Sequence, residues 1–299
     1  MRPDAVQLFL NPTAGRGRAG KRKARICELL RASGMQVELT ESRDVGDLES
    51  QVLAAVSGGA QKIVVAGGDG SVHEAANGIM RSGGDAALGV VPSGTGNDFA
   101  KGCDIPLDWE LATERLAARI RSRQQNRIVD IGRMNGRYFA NGAGIGFDAR
   151  VTQIAYSYRI PIGDLVYLVA IFRGMLEGVA TPHMRIVSDA GTREGPVTLA
   201  NIANGSWVGG MFHIAPMADN TDGAFDLVIA APVSRLRILS LLPRLMSGRH
   251  IDEPEVSCER VTRVAVECDE AIPSHLDGEL QPLQRRFEID LLPGALRLI

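Results

Sequence analysis

Ile63-Val64-Val65-Ala66 leads directly into Gly67-Gly68-Asp69-Gly70, followed by Ser71-Val72-His73-Glu74-Ala75. Val72, Ala75, Ala76, Ile79 and Met80 then recur at helical spacing. The stretch reads as a buried parallel strand, a glycine turn and a helix start. Glycines carry no Cβ, so backbone N–H groups there can approach a ligand closely. The N–H groups and the positive end of the helix dipole point the same way, which suits phosphate. Asp69 repels bare phosphate, so a functional Asp69 would act through a metal ion or its water. An N-cap on an ordinary turn is the competing reading, and this stretch alone leaves both open.

Further turns carry chemistry of the same kind. Pro92-Ser93-Gly94-Thr95-Gly96-Asn97-Asp98 follows the apolar run Leu88 to Val91, and Asp98 there reads as a helix cap. Asn11-Pro12-Thr13-Ala14-Gly15 opens a loop in which Gly15, Gly20 and Lys21 fit the phosphate-loop spacing. Arg22 stands where that loop needs Ser or Thr for magnesium, which rejects a P-loop NTPase. Asp130 lies between Val129 and Ile131, where a buried acid needs partners or a metal. Asp219 and Asp222 sit in a turn-rich run ending at Ala224, where carboxylates and carbonyls could hold a hard cation, although spacing alone favours an Asp-Gly turn. Asp277-Gly278-Glu279 places two acids on one side of an extended segment, suited to metal handling and general base work. Glycine loops with carboxylates, and histidines at no ligand spacing, point to phosphoryl transfer rather than zinc hydrolysis.

The elements that must position these residues fall into two textures. Up to about residue 127 strands alternate with helices: Val6 to Leu10, Lys21 to Ser33, Met35 to Thr40, Asp47 to Ser57, the Gly-Gly-Asp-Gly unit with a helix to Arg81, Leu88 to Val91, and Leu107 to Arg123. This predicts an α/β domain whose glycine loops share one edge of a parallel sheet, with Thr40 and Glu41 on that edge. From residue 128 short β-rich runs dominate: Arg137 to Ala140, Met184 to Ser188, Val197 to Ala203, Phe225 to Ala230, Val261 to Glu267 and Arg286 to Leu291. These predict an antiparallel β-sandwich or barrel-like domain over 128–293. Leu165 to Leu176 and Ser234 to Ser247 are its helices, read as walls of a core or groove rather than as membrane-facing segments.

The 299-residue length suits two domains, and a net charge of −2 gives no global field for nucleic acid. Arginines and lysines do crowd 16–25 and 119–127, one run beside a glycine loop. Cys27, Cys103, Cys258 and Cys268 form no C-x-x-C pair, and the N-terminus lacks an apolar signal region. A cytoplasmic protein without a transmembrane helix is expected.

Asn11-Pro12-x-x-Gly15, Gly67-Gly68-Asp69-Gly70, Pro92 to Ala100 and Asp277-Gly278-Glu279 occur in the order and at the spacing of the diacylglycerol kinase catalytic family, and the chain resembles its soluble bacterial lipid kinases. Gly-Gly-Asp-Gly by itself would also fit NAD kinases and the phosphofructokinase-like superfamily. The resemblance implies an α/β ATP-binding domain of that superfamily over 1–127 plus about 294–299, a lipid-binding β-sandwich over 128–293, and ATP in the cleft between them. Carried over by motif, Asn11, Pro12, Thr13, Ala14, Gly15, Thr40, Gly67, Gly68, Asp69, Gly70, Ser71, Val72, His73 and Thr95 would contact ATP. Asp69, helped by Asp130, would hold catalytic Mg²⁺ through water. Glu279 would be the general base, with Asp277 supporting it. Asp222 with the carbonyls of Asp219 and Ala224 would form a structural Mg²⁺ site. The implied protein is an ATP- and Mg²⁺-dependent lipid kinase that works peripherally at a membrane on diacylglycerol or a related lipid. Its oligomeric state is open, a homodimer included. A soluble NAD kinase and a nucleotide- or lipid-sensing module without turnover are the alternatives.

Overall fold

The structure, a computed structural model, describes residues 5–32, 34–158 and 163–299. Residues 1–4, at the N-terminus read as lacking a signal, and Ser33, the expected end of the first helix, lie outside the described residues. The chain divides into two compact units, one running to Asp130 and resuming at Gly294–Ile299, the other spanning Ile131–Pro293.

The first unit contains β1 (Val6–Leu10), α1 (Ala14–Arg31), β2 (Val37–Glu41), α2 (Asp47–Ser57), β3 (Lys62–Gly67), α3 (Asp69–Ser82), β4 (Ala87–Pro92), α4 (Asp98–Gly102) and α5 (Trp109–Ser122). Its strands lie in the order β4-β3-β1-β2, all parallel. Leu10 is level with Glu41 and Ala66, and Gly67 with Pro92. The loops after β1, β3 and β4 therefore leave one edge together, as the alternating pattern predicts. Val6, Leu8 and Leu10 with Val64 and Ala66 face Ile26 and Leu30 of α1 and Leu116 and Ile120 of α5. On α3, a Cβ at Gly78 would stand 2.8 Å from the Glu49 carbonyl of α2, so these helices touch through backbone. Glu74 of α3 accepts the N–H groups of Gly46 and Glu49 at 3.0 and 3.2 Å, capping α2. α1 starts before the predicted Lys21, and Gly15, Arg16 and Gly17 all take left-handed backbone at its start.

The second unit opens within β5 (Arg127–Met134) and continues through β6 (Arg137–Phe139), β7 (Gly142–Gly146), α6 (Phe147–Ser157), α7 (Leu165–Glu177), β8 (His183–Ser188), β9 (Gly191–Pro196), β10 (Leu199–Ala203), β11 (Phe225–Ala230), α8 (Arg235–Met246), β12 (Val256–Val261), β13 (Arg263–Leu276) and most of β14 (Glu279–Leu298). Its pairings are antiparallel. One half of β13, Val264 to Cys268, pairs with β8, while Ser274 to Leu276 pairs with β7. The register of β13 against β14 shifts between Glu267 and Ile272, the kind of irregularity that lets one strand serve two layers of a sandwich. Phe139, Phe225, Phe287 and Ile145 are fully buried in the core between them.

The expected strand Val261 to Glu267 is in fact the end of β12 and the start of β13, separated at Thr262. β7 and β9 escape the sequence pattern because Gly-Ala-Gly-Ile-Gly and Gly-Thr-Arg-Glu-Gly-Pro have little strand propensity of their own. Tertiary pairing supplies what propensity lacks. β14 carries the chain back to the first unit, where Arg297 and Leu298 pair parallel with Ala87 and Leu88 of β4.

Candidate functional site

In the first unit the predicted loops touch one another through glycine. A Cβ on Gly94 would lie 2.4 Å from the Cα of Gly68, and one on Gly15 would lie 2.2 Å from the Ser93 carbonyl. Only residues without side chains allow these three turns to pack. The result is a cradle of backbone at the carboxyl ends of β1, β3 and β4. Asn11 organises the first loop: its Oδ1 accepts the Thr13 hydroxyl at 2.7 Å and the Thr13 N–H at 3.0 Å, and its Nδ2 donates to Ser71 Oγ at 3.4 Å. Pro12 and Ala14 are half-buried beside it, and Thr13 is exposed. Thr40 is half-buried in β2, level with Phe9 of β1.

Gly68 is the N-cap of α3, so Asp69, Gly70 and Ser71 form its first turn. Asp69 and Gly70 are half-buried, whereas Ser71, Val72 and His73 are buried, and the His73 ring meets Asn77. Val72 and His73 thus present backbone, not side chains, to anything bound at this end. Gly67 lies against the Ser71 side chain, so a Cβ there would reach Ser71 Oγ at 2.2 Å. Asp69 Oδ1 accepts the Phe99 N–H of α4 at 3.1 Å. It caps a helix, but the neighbouring one rather than its own. Thr95 is exposed on the following loop, which Asn97 stabilises by accepting the Gly94 N–H at 3.0 Å. Asp98, expected to cap α4, begins it instead and pairs with Lys101 at 3.1 Å.

The acids farther along the chain do different work. Asp130 is buried and accepts the Gly294 N–H at 2.7 Å, which ties the returning strand to the first unit. Asp219 Oδ1 accepts from Thr221, and Asp222 Oδ1 accepts the Ala224 N–H at 3.1 Å. Asp222 Oδ2 meets Arg260 at 2.6 Å, so a cation held by this carboxylate would have to displace a guanidinium. Among the described residues no group of three or more His, Cys, Asp or Glu side chains is arranged to hold a metal. Magnesium commonly takes one or two carboxylates and leaves its other positions to phosphate and water. Asp69 beside a cradle of backbone fits that habit.

Asp277 and Glu279 belong to one hairpin of the second unit, with Leu276 paired to Glu279 across a two-residue loop. Asp277 and Gly278 both have positive φ, 53° and 88°, the backbone that Asp-Gly loops adopt in tight hairpins. The two acids therefore do not flank an extended glycine and do not point the same way, as the sequence spacing suggested. Asp277 turns inward and accepts the N–H groups of Ala140, Asn141 and Gly142 at 2.9, 2.7 and 3.0 Å. Glu279 stays half-buried and accepts the Tyr156 hydroxyl at 3.3 Å.

Beside this hairpin lies a constellation that sequence reasoning missed. Asn201, Gly144 and His275 sit opposite one another on β10, β7 and β13. A Cβ on Gly144 would land 2.2 Å from Asp148 Oδ2 and 2.4 Å from His275 Nε2. Glycine there makes room for a pair of a buried imidazole and a half-buried carboxylate 3.6 Å apart, and Asn201 Nδ2 donates to the same Asp148 oxygen at 3.2 Å. His275 Nδ1 accepts the Gly278 N–H of the acidic turn at 3.3 Å. That places the ring proton on Nε2, an atom without a hydrogen-bond partner. Asp148 and His275 line an apolar cavity of about 140 Å³, walled by Phe147, Ile171, Phe212, Ile238 and Leu242 among others. The only available cue was an acid in the first turn after Gly-Ile-Gly-Phe; the pairing itself is non-local.

A two-unit fold with a glycine cradle on one parallel-sheet edge and an acid-bearing hairpin in a β-sandwich defines a class of phosphotransferases. The sequence pattern of the diacylglycerol kinase catalytic domain matches residues 5–134, and that of the YegS C-terminal NAD kinase beta sandwich-like domain matches residues 142–299. A diacylglycerol kinase of Mycobacterium tuberculosis is 33% identical over 302 residues, covering 98% of this chain and 94% of its own. A probable lipid kinase YegS-like of Pseudomonas aeruginosa is 31% identical, covering 90% of this chain and 86% of its own. A Bacillus anthracis diacylglycerol kinase crystal structure superposes with a TM-score of 0.75 at 21% identity, covering 100% of this chain and 97% of its own. The chain belongs to the diacylglycerol kinase and YegS-like lipid kinase family. It is a kinase.

Proposed function

We propose that this protein transfers the γ-phosphate of ATP to the hydroxyl of a lipid, diacylglycerol or a close relative, at a membrane surface. The observation that carries the lipid half is His275. It lines an apolar cavity and is hydrogen-bonded to the turn that holds Asp277 and Glu279. Acyl chain would fill the cavity. The Nε2–H of His275 and the carboxylate of Asp148 would meet the polar part of the lipid. Glu279, whose carboxylate meets a hydroxyl where that of Asp277 is taken up by three backbone N–H groups, would take the proton of the attacking hydroxyl. Asp277 would hold that turn in place.

In the first unit the interlocked glycines would receive the polyphosphate, with backbone N–H groups of the Asn11 to Gly15 loop and of the α3 N-terminus as donors. Thr40 and the exposed Thr95 would contact the nucleotide from neighbouring loops. Asp69 is the acid suited to bind Mg²⁺ through water, and Asp130 would support it only by fixing the strand next to it. When bound, the ion would neutralise charge on the transferring phosphoryl group. The reaction needs positioning and charge neutralisation rather than a covalent enzyme intermediate.

Incubating the protein with γ-labelled ATP, Mg²⁺ and either diacylglycerol in mixed micelles or NAD separates the lipid reading from its nearest rival. Label in the organic phase, with none on NAD, is expected. Label on NAD alone would overturn it, and tight ATP binding without transfer to any acceptor would favour a sensing module.

A further inference from the structure

The sequence reads α7 and α8 as walls of a core or groove, and their inner faces do pack inward: Ala170, Ile171 and Met175 of α7 and Ile238 and Leu242 of α8 are buried in one cluster with α6. Their outer faces are apolar as well. Leu165, Val169, Phe172 and Leu176 recur at one helical spacing along α7, and all are exposed, Leu176 by 78%. On α8 the exposed stripe holds Leu236, Leu239 and Met246, with Leu236 exposed by 79%. A globular helix ordinarily turns a polar face to water. These two helices of one cluster each expose an apolar stripe as well, and both line the apolar cavity.

The geometry points to a docking surface for an anionic lipid bilayer, formed by the outer stripes of α7 and α8. This rests on the lipid-kinase reading and names the face that would meet the membrane. Charge selects the bilayer over a second protein surface. From Ser234 to His250 the chain carries Arg235, Arg237, Arg244 and Arg249 and no acid. Arg237 and Arg244 pair with Glu253 and Glu255 behind the helix. Arg235 and Arg249 are exposed, and no ion pair of the described residues takes them. An apolar stripe bordered by unneutralised arginines is the composition that seats a helix in the headgroup plane of anionic lipid. Among the described residues no helix is long and apolar enough to cross a membrane, so the contact would be interfacial. A lipid could then pass from the bilayer into the cavity that both helices help to line without its chains crossing water.

Co-sedimentation with vesicles tests this without ATP or substrate. Wild-type protein should bind vesicles of phosphatidylglycerol and phosphatidylcholine, and bind pure phosphatidylcholine more weakly. The variant Phe172→Ser/Leu176→Ser and the variant Leu236→Ser/Leu239→Ser should each lose at least tenfold in vesicle partitioning. Both should keep their turnover on a short-chain diacylglycerol dispersed in detergent. Undiminished vesicle binding by the variants would overturn the assignment. So would loss of detergent-phase turnover in step with vesicle binding, which would make these side chains part of the fold. A wild-type dimer in sedimentation that the variants dissociate, with no vesicle binding, would give the face to a second copy instead. If vesicle binding follows the prediction but no lipid is ever phosphorylated, the docking surface stands and the catalytic reading falls.

Discussion

At Gly94 a single methyl group would meet the Cα of Gly68 at 2.4 Å. Backbone cannot yield there as a flexible side chain can, so Gly94→Ala should force the two glycine loops apart. Isothermal titration with ATP is expected to show at least tenfold weaker binding. Gly17→Ala is the control: it has φ 81° but open space around it, so it should cost about 1 kcal/mol of stability from backbone strain alone. Equal effects from both would remove the cradle from the account. Asp148 makes a second residue-scale case. Asp148→Asn keeps the shape of the cavity end and removes its charge, so KM for diacylglycerol should rise about tenfold, the size of one hydrogen bond to a charged group, while KM for ATP holds. A rise in both would mean that the substitution disturbs the fold instead.

Among the elements, the hairpin between β13 and β14 carries both acids of the Asp277 to Glu279 turn. The sequence reads Asp277-Gly278-Glu279 as an extended segment, and spacing could not say that it turns or where Asp277 points. Three backbone N–H groups more than a hundred residues earlier decide that. Asp277→Ala would leave those donors without their acceptor and should destabilise the unit by about 2–4 kcal/mol, read as a lowered denaturation midpoint. Local pattern found α2 and β11 with their observed ends, because helical periodicity and a continuous apolar run are local signals. It missed β7 and the Asn201–Gly144–His275 row because glycine in a strand gains its meaning only from what packs over it. It likewise took α7 and α8 as one-sided, since apolar content along a helix does not say which residues remain exposed.

For the whole molecule, the alternating α/β half and the β-rich half were distinguishable by texture alone, since strand–helix alternation and short strand runs have different periods. The texture changes at 127–128, and the change of unit falls at Asp130–Ile131, within a strand rather than in a linker. Stability of the second unit should depend on pH through His250. Burial lowers its pKa below the ordinary 6.5, while its Nε2 meets the Ile214 carbonyl at 2.9 Å. A depressed histidine pKa means that the unfolded chain takes up a proton that the folded chain resists. Stability is therefore full above pH 6.5 and declines as pH falls from there towards the folded value. Thermal scans at about pH 7.5 and pH 5.5 should show a smaller drop in Tm for His250→Gln than for the wild type. Equal drops would assign the acid sensitivity elsewhere.

The central claim is that phosphate moves from ATP to a lipid hydroxyl whose proton goes to Glu279. Steady-state kinetics of Glu279→Gln on diacylglycerol, with ATP binding measured alongside, test it most directly. Loss of a general base should lower kcat by about a hundredfold or more, with the Kd for ATP unchanged. A kcat within a few-fold of wild type would contradict the assignment of the base, and with it this account of how the hairpin serves the reaction.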